Sequence, residues 1–218
     1  VFMSTNNGDT CNSIGVNDVD IRNVYVTPTG RILVGTHHEG LFRSDDGGKN
    51  WEKDYQFYGK DTYAFTADNS GKLYLGAGDG VYRSEDDGSS WQKISSGMGI
   101  ESIRSLIIDD NGIIFSGNAN DAIYRSIDGG NTWKPAKTGI VNHATPLAFF
   151  IDENSKLYAA THLGIYKSLN KTDDYSIALR VDPANKPVLD WNESHKFTIT
   201  VIDDLENPVS GIEVKIDN

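Results

Sequence analysis

The chain has 218 residues, a formal net charge of −11 and an isoelectric point near 4.8. That length suits one large β domain or two smaller ones. That charge repels phosphate backbones and anionic lipid heads, which argues against nucleic acid and membrane surfaces as partners. Cys11 is the one cysteine, so no disulfide forms within the chain. No apolar run approaches the roughly 18 residues that a membrane span needs, so no membrane insertion is expected.

Taken in order, the chain repeats one grammar. Residues 1–4 read as a strand ending on Ser4, followed by Asn6, Gly8, Thr10 and Cys11. Four units of four short strands come next. The first runs through 21–27, 32–36, 41–44 and 51–53, and the second through 63–67, 72–76, 81–84 and 91–94. The third runs through 103–108, 113–117, 122–126 and 133–136, and the fourth through 147–151, 157–160, 165–168 and 175–179. Short runs of Val, Ile, Tyr and Phe bounded by Gly, Asp and Asn carry the strand and turn signals. A four-stranded meander of about 40 residues, repeated, is the pattern of a propeller blade.

Between the third and fourth strand of each unit stands one motif. Its full copies are Ser44, Asp46, Gly48, Asn50 and Trp51; Ser84, Asp86, Gly88, Ser90 and Trp91; and Ser126, Asp128, Gly130, Thr132 and Trp133. The set led by Ser4 is degenerate, and so is the set of Ser168, Asn170, Thr172, Asp174 and Tyr175. The leading serines are spaced by 40, 40, 42 and 42 residues, and a fixed period in this range means a repeat architecture. The residue types suit a tight turn. Ser and Asp oxygens accept from turn N–H groups, the Gly permits positive φ, and the Trp brings a large ring to bury between sheets. The spacing lacks the twelve-residue loop and closing bidentate Glu of an EF-hand, so no metal or other cofactor is assigned.

These residues resemble the Asp-box, or BNR repeat, of sialidase-type β-propellers. The resemblance implies an all-β propeller of four-stranded antiparallel blades with Asp-box turns over residues 1–181. Residues 1–4 match only a third strand. The ring is therefore expected to be incomplete at its N-terminal side: a half blade and four blades of a larger ring, with the remaining blades of the same propeller as partner. Residues 182–187 read as a linker. Residues 188–218 hold two alternating strands, and 201–214 resemble the opening hairpin of a bacterial immunoglobulin-like or carboxypeptidase-regulatory-like β-sandwich. The alternative is that 188–218 supply the missing strands of the first half blade.

A meander fixes which turns share an end. Turns after the first and third strands lie on one face with the Asp-boxes. Turns after the second strand, and the links between blades, lie on the other, which the resemblance makes the ligand face. It carries His37, His38, Glu39, Asp79, Asn120, Asp121 and His162, with Tyr55, Tyr58, Met98 and His143 in the links. Variable polar turns on a repeated scaffold are candidate binding loops. Two histidines and a glutamate suit a transition metal, but neighbours at a strand end are expected to point to opposite sides, so no metal is assigned here either.

Two columns read as structure. Phe2, Phe42, Tyr82, Tyr124 and Tyr166 read as core repeated by symmetry rather than a binding ladder. Arg43, Arg83, Arg125 and Lys167 recur once per blade and so point in different directions around a ring, and they cannot converge into the arginine clamp of sialidases. Cys11 is expected as a small, half-buried residue.

The expected function is a non-catalytic extracellular module, secreted or on a bacterial cell surface, binding a glycan or a protein within a larger multidomain protein. One alternative is a glycoside hydrolase, sialidase-like or xyloglucanase-like, whose catalytic residues lie partly in other blades. The other is an assembly factor, like the Asp-box propellers that help build photosynthetic complexes. Against the hydrolase, the turns are short, and neither a carboxylate pair nor a Tyr–Glu pair stands out.

Overall fold

The computed structural model describes residues 1–99, 102–120, 123–136, 144–168, 172 and 179–181. The expected linker 182–187 and sandwich segment 188–218 lie outside these residues, as do Asp121, His143, Asn170, Asp174 and Tyr175. Strand β1 (Phe2–Met3) pairs with β2 (Asn12–Ser13). Four four-stranded sheets follow, each antiparallel and each strand beside its neighbour in sequence. Blade 1 is β3 (Ile21–Val26), β4 (Ile32–Thr36), β5 (Leu41–Ser44) and β6 (Glu52–Asp54). Blade 2 is β7 (Thr62–Ala67), β8 (Leu73–Ala77), β9 (Gly80–Ser84) and β10 (Gln92–Lys93). Blade 3 is β11 (Ile103–Ile108), β12 (Ile114–Asn118), β13 (Ile123–Ser126) and β14 (Lys134–Pro135). Blade 4 is β15 (Pro146–Ile151), β16 (Leu157–Thr161), β17 (Gly164–Ser168) and β18 (Leu179–Val181). The fold is an all-β array of propeller blades, as the 40-residue period requires.

The core lies between blades rather than at one centre. Leu33 and Leu41 of blade 1 meet Leu73, Leu75 and Tyr82 of blade 2. Tyr74 and Val81 of blade 2 meet Ile103, Ile114 and Trp133 of blade 3. Phe115 and Ile123 meet Leu157 and Tyr166 of blade 4. Second strands such as β4 and β8 are buried along their whole length, because both of their faces pack on neighbours. One glycine in each of blades 1, 2 and 3 sets the spacing, Gly35, Gly76 and Gly117, where blade 4 has Ala160. A Cβ on Gly35 would stand 2.6 Å from the Thr62 carbonyl oxygen, and one on Gly76 2.8 Å from Ile103 Cγ2. The first strand of the next blade crosses there, so only a residue without a side chain fits.

The serine-led turns are closed hydrogen-bond units. In the third full copy Ser126 Oγ donates to Asp128 Oδ1 at 2.8 Å and accepts from the Gly130 N–H at 2.8 Å, while Asp128 Oδ1 also accepts from the Thr132 N–H at 2.9 Å. Ser44, Asp46 and Gly48, and Ser84, Asp86 and Gly88, repeat these bonds. Ser4 and Asn6 do so too, because an amide oxygen serves as well as a carboxylate. Gly48, Gly88 and Gly130 all have φ between +80° and +88°, a region open to glycine. Hydrogen bonds from the Asn50 N–H and side chain hold the Asp46 carboxyl down at about 2. At Asp86 and Asp128 burial pushes upward, but the turn hydrogen bonds outweigh it and keep both below the usual carboxylate range.

Two of the repeated cations clamp blades together. Arg43 donates to the Ser89 carbonyl at 3.0 Å, and Arg83 to the Gly129 carbonyl at 3.0 Å, each in the next blade's turn. In the aromatic column Tyr82 and Tyr166 are buried, and Phe42 and Tyr124 are partly buried. Phe2 is exposed. Cys11 is exposed rather than half-buried, because the two-stranded sheet it adjoins is itself exposed along both strands.

Candidate functional site

The face opposite the serine turns is built on a bond that recurs in blades 1, 2 and 3. The His37 N–H donates to the Asp20 carbonyl at 2.8 Å, Gly78 to Asp61 at 2.8 Å, and Ala119 to Ser102 at 2.9 Å. Each bond ties the turn after a blade's second strand to the residue just ahead of its first strand. Asp20, Asp61 and Ser102 are thus equivalent positions. Each first strand then bulges after its opening residue, between Ile21 and Asn23, Thr62 and Ala64, Ile103 and Ser105, and Pro146 and Ala148. Such bulges re-aim side chains at the rim of a sheet.

By register the turns after the second strands come in two lengths, shorter in blades 2 and 4 and one residue longer in blades 1 and 3. Blade 2 closes its turn with Gly78 and Asp79 between paired Ala77 and Gly80, and blade 4 with His162 and Leu163 between Thr161 and Gly164. Blade 1 has one residue more than these two: His37, His38 and Glu39 between Thr36 and Gly40. The extra residue is absorbed by a three-residue turn in which the Glu39 N–H donates to the His37 carbonyl at 2.8 Å and His38 takes φ +63°. This is the rare, strained hand of the γ-turn. It folds His38 back over His37, with ring centroids 3.8 Å apart and planes inclined at 34°. The expectation that the two imidazoles point to opposite sides therefore fails, because it assumed extended backbone.

Both imidazoles face Asp61 of blade 2. His37 Nδ1 lies 2.7 Å and His38 Nδ1 3.3 Å from Asp61 Oδ1. The His38 N–H donates to the same oxygen at 2.8 Å, and the Tyr63 hydroxyl donates to Oδ2. Burial pushes the Asp61 carboxyl up, but these hydrogen bonds and the two imidazoles outweigh it and hold it below the usual range. His37 Nδ1 is buried and, although 2.7 Å from the carboxylate, makes no hydrogen bond. The ring is turned so that an N–H on Nδ1 does not point at that oxygen.

The link between blades 1 and 2 packs beside this cluster. The Gly59 N–H donates to the His38 carbonyl at 3.0 Å. Asp54 caps a 3-10 turn, Tyr55–Phe57, by accepting from the Gln56 N–H at 3.0 Å. Phe57 is fully buried, edge-on to Tyr82 and Trp91 with centroids 4.9 and 6.2 Å away. That anchor leaves Tyr55 78% and Tyr58 63% exposed. Lys53 Nζ sits 4.5 Å from the Tyr58 ring centroid and pairs with Glu39 at 2.5 Å.

The other expected residues stand apart. Asp79 pairs with Lys60 at 3.0 Å and Lys93 at 3.5 Å and accepts from the Tyr82 hydroxyl at 2.9 Å. Burial raises its pKa, yet these partners prevail and keep it ionised below the usual range. A shallow hollow of about 630 Å³ adjoins Lys93, lined by Ser95, Ser96 and Met98. Asn120 and His162 are exposed on the turns of blades 3 and 4; Asp121 lies outside the described residues. Sequence reasoning gathered His37, His38 and Glu39 but missed Asp61 and Tyr63. Aligning Asp61 with Asp20, one residue ahead of each blade's first strand, was the signal available.

No protein-family model and no curated protein matches the chain. Solved structures do. The GH74 xyloglucanase from Xanthomonas campestris matches at 22% identity and a TM-score of 0.60, over 74% of this chain and 30% of that one. The extracellular domain of BT4673 from B. thetaiotaomicron matches at 16% identity and a TM-score of 0.64, over 78% of this chain and 25% of that one. YCF48 bound to D1 peptide matches at 15% identity and a TM-score of 0.55, over 75% of this chain and 54% of that one. The chain thus spans about a third of the xyloglucanase it resembles, and at these identities the likeness establishes the β-propeller fold.

Proposed function

We propose that this chain is a non-catalytic, extracellular propeller module that binds a glycan or a protein on the face opposite its serine turns. The observation that carries this reading is the exposed pair Tyr55 and Tyr58, fixed on buried Phe57 beside His38, Glu39 and Lys53. A rigid aromatic face with hydrogen-bonding groups at its rim suits the apolar faces and hydroxyls of a sugar. Asp61 and Asp79 are both engaged and held ionised, whereas a glycosidase's acid needs a raised pKa. The turn hydrogen bonds support reading the serine motifs as Asp-boxes. Similarity to a xyloglucanase and to an extracellular domain favours a glycan outside the cell; YCF48 with its peptide keeps a protein ligand in view. No helix among the described residues is long and apolar enough to cross a membrane.

Val24 and Val26 on β3 and Phe150 on β15 are exposed, although the matching faces of inner blades are packed. We propose further blades of the same propeller as their cover, and a β-sandwich domain opening in residues 188–218. A glycan array with the full chain, then titration of each hit against Tyr58→Ala and Tyr55→Ala, tests the binding reading. Binding should weaken at least tenfold in Tyr58→Ala with no turnover of chromogenic glycosides. Turnover that Asp79→Asn abolishes would replace it with the hydrolase.

A further inference from the structure

The geometry points to a transition-metal site of the zinc class at the junction of blades 1 and 2, with His37 Nδ1, His38 Nδ1 and Asp61 Oδ1 as ligands. One ligand atom from each of these three residues lies within 4.8 Å of the others, and among the described residues no other such group of three is found. An ion bonded at about 2.0–2.1 Å to nitrogen and oxygen holds tetrahedral donors roughly 3.3 Å apart. The separations of Asp61 Oδ1 from His38 and His37, 3.3 and 2.7 Å, need only sub-ångström adjustment to match. Two imidazoles and one carboxylate suit zinc, nickel or copper rather than calcium or magnesium.

Three features set this cluster apart from a chance meeting of polar residues. The strained turn at His38 is what brings adjacent imidazoles to one side. Buried His37 Nδ1 stands against a carboxylate oxygen with no proton aligned between them, an arrangement that a shared cation satisfies. Asp61 is oriented from behind by the Tyr63 hydroxyl, as outer partners of metal ligands usually are. The repeat does not generate this set, since the equivalent positions at the next junction are Gly78, Asp79 and Ser102. His38 is 67% exposed on its side chain, so an ion has a path from solvent and keeps positions open to it. The site rests on these donors alone, whatever ligand the tyrosines take.

Isothermal titration of the metal-free full chain with zinc chloride tests it. One ion should bind per chain and raise the melting temperature. His38→Asn, which tolerates the left-handed turn, and Asp61→Asn should each weaken binding at least tenfold. Tyr63→Phe should weaken it about tenfold through the orientation of Asp61, and His162→Asn should leave it unchanged. Absence of saturable one-to-one binding to the native chain overturns the site. So does unchanged affinity in a His38→Asn chain that still melts cooperatively. Should Asp61→Asn fail to fold, the exposed His38 variant decides alone.

Discussion

The junction of blades 1 and 2 and the junction of blades 2 and 3 grow from the same repeat and are filled differently. At the second, Trp133 Nε1 donates to the Ile94 and Gly130 carbonyls at 2.7 and 3.0 Å. Trp51 does the same with Ile14 and Gly48, at 2.6 and 3.0 Å. At the first, the position equivalent to Ile94 is Asp54, which caps the 3-10 turn instead of offering its carbonyl. Phe57 fills the gap, and Trp91 Nε1 is buried without a partner. The junction has exchanged a hydrogen bond for aromatic packing. The same detour of the chain delivers Tyr58 and Gly59 to the histidine turn. The candidate site lies where the repeat is broken, because identical repeats point their side chains in different directions around a ring.

The largest effects should come from the two buried indoles. Trp133→Ala and Trp91→Ala should each cost about 3–5 kcal/mol by urea denaturation, from lost burial and a cavity. Phenylalanine separates the junctions. Trp133→Phe leaves two carbonyls without their donor and should cost about 1–3 kcal/mol more than packing alone, whereas Trp91→Phe removes an N–H that has no partner. Equal costs for the two Phe variants would mean that the junctions do not differ in this bond.

Smaller effects follow from the crossing glycines. Gly35→Ala sets a methyl against the Thr62 backbone, and Gly76→Ala sets one against the movable side chain of Ile103. Both should destabilise, by about 1–3 kcal/mol, with Gly35→Ala the worse. A reversal would show that the first junction is the more yielding one.

The smallest effect expected is the response to acid. Asp46, Asp61, Asp86 and Asp128 titrate lower in the fold than in the unfolded chain. Their contribution is complete above the ordinary carboxylate pKa of about 4. Below it the unfolded chain binds protons that the fold refuses, so stability falls as pH drops toward about 2, where Asp46 titrates. Urea midpoints at pH 7, 5 and 3 should be level between the first two and lower at the third. Asp61→Asn should reduce that fall, because it removes the one such carboxylate that spans the first junction.

The sequence by itself determined the blades. A 40-residue period, with Ser, Asp, Gly and Trp at constant offsets, leaves one way to satisfy the turn N–H groups and bury the indole, and each turn is satisfied within eight residues. Which turns share a face follows from the meander alone. It also placed His37, His38 and Glu39 on the candidate face, since a turn after a second strand has nowhere else to go. Only the tertiary structure decided what those residues meet. Asp61 lies 23 residues beyond His38 and reaches it across a blade junction. The positive φ that stacks the two imidazoles depends on how one extra residue is taken up. The salt bridges that commit Asp79 to Lys60 and Lys93 are likewise set by packing. Local turns are fixed by short-range hydrogen bonds that a sequence spells out. A site between blades is fixed by how two rigid sheets meet, and that depends on distant residues such as Gly35 and Phe57 at once.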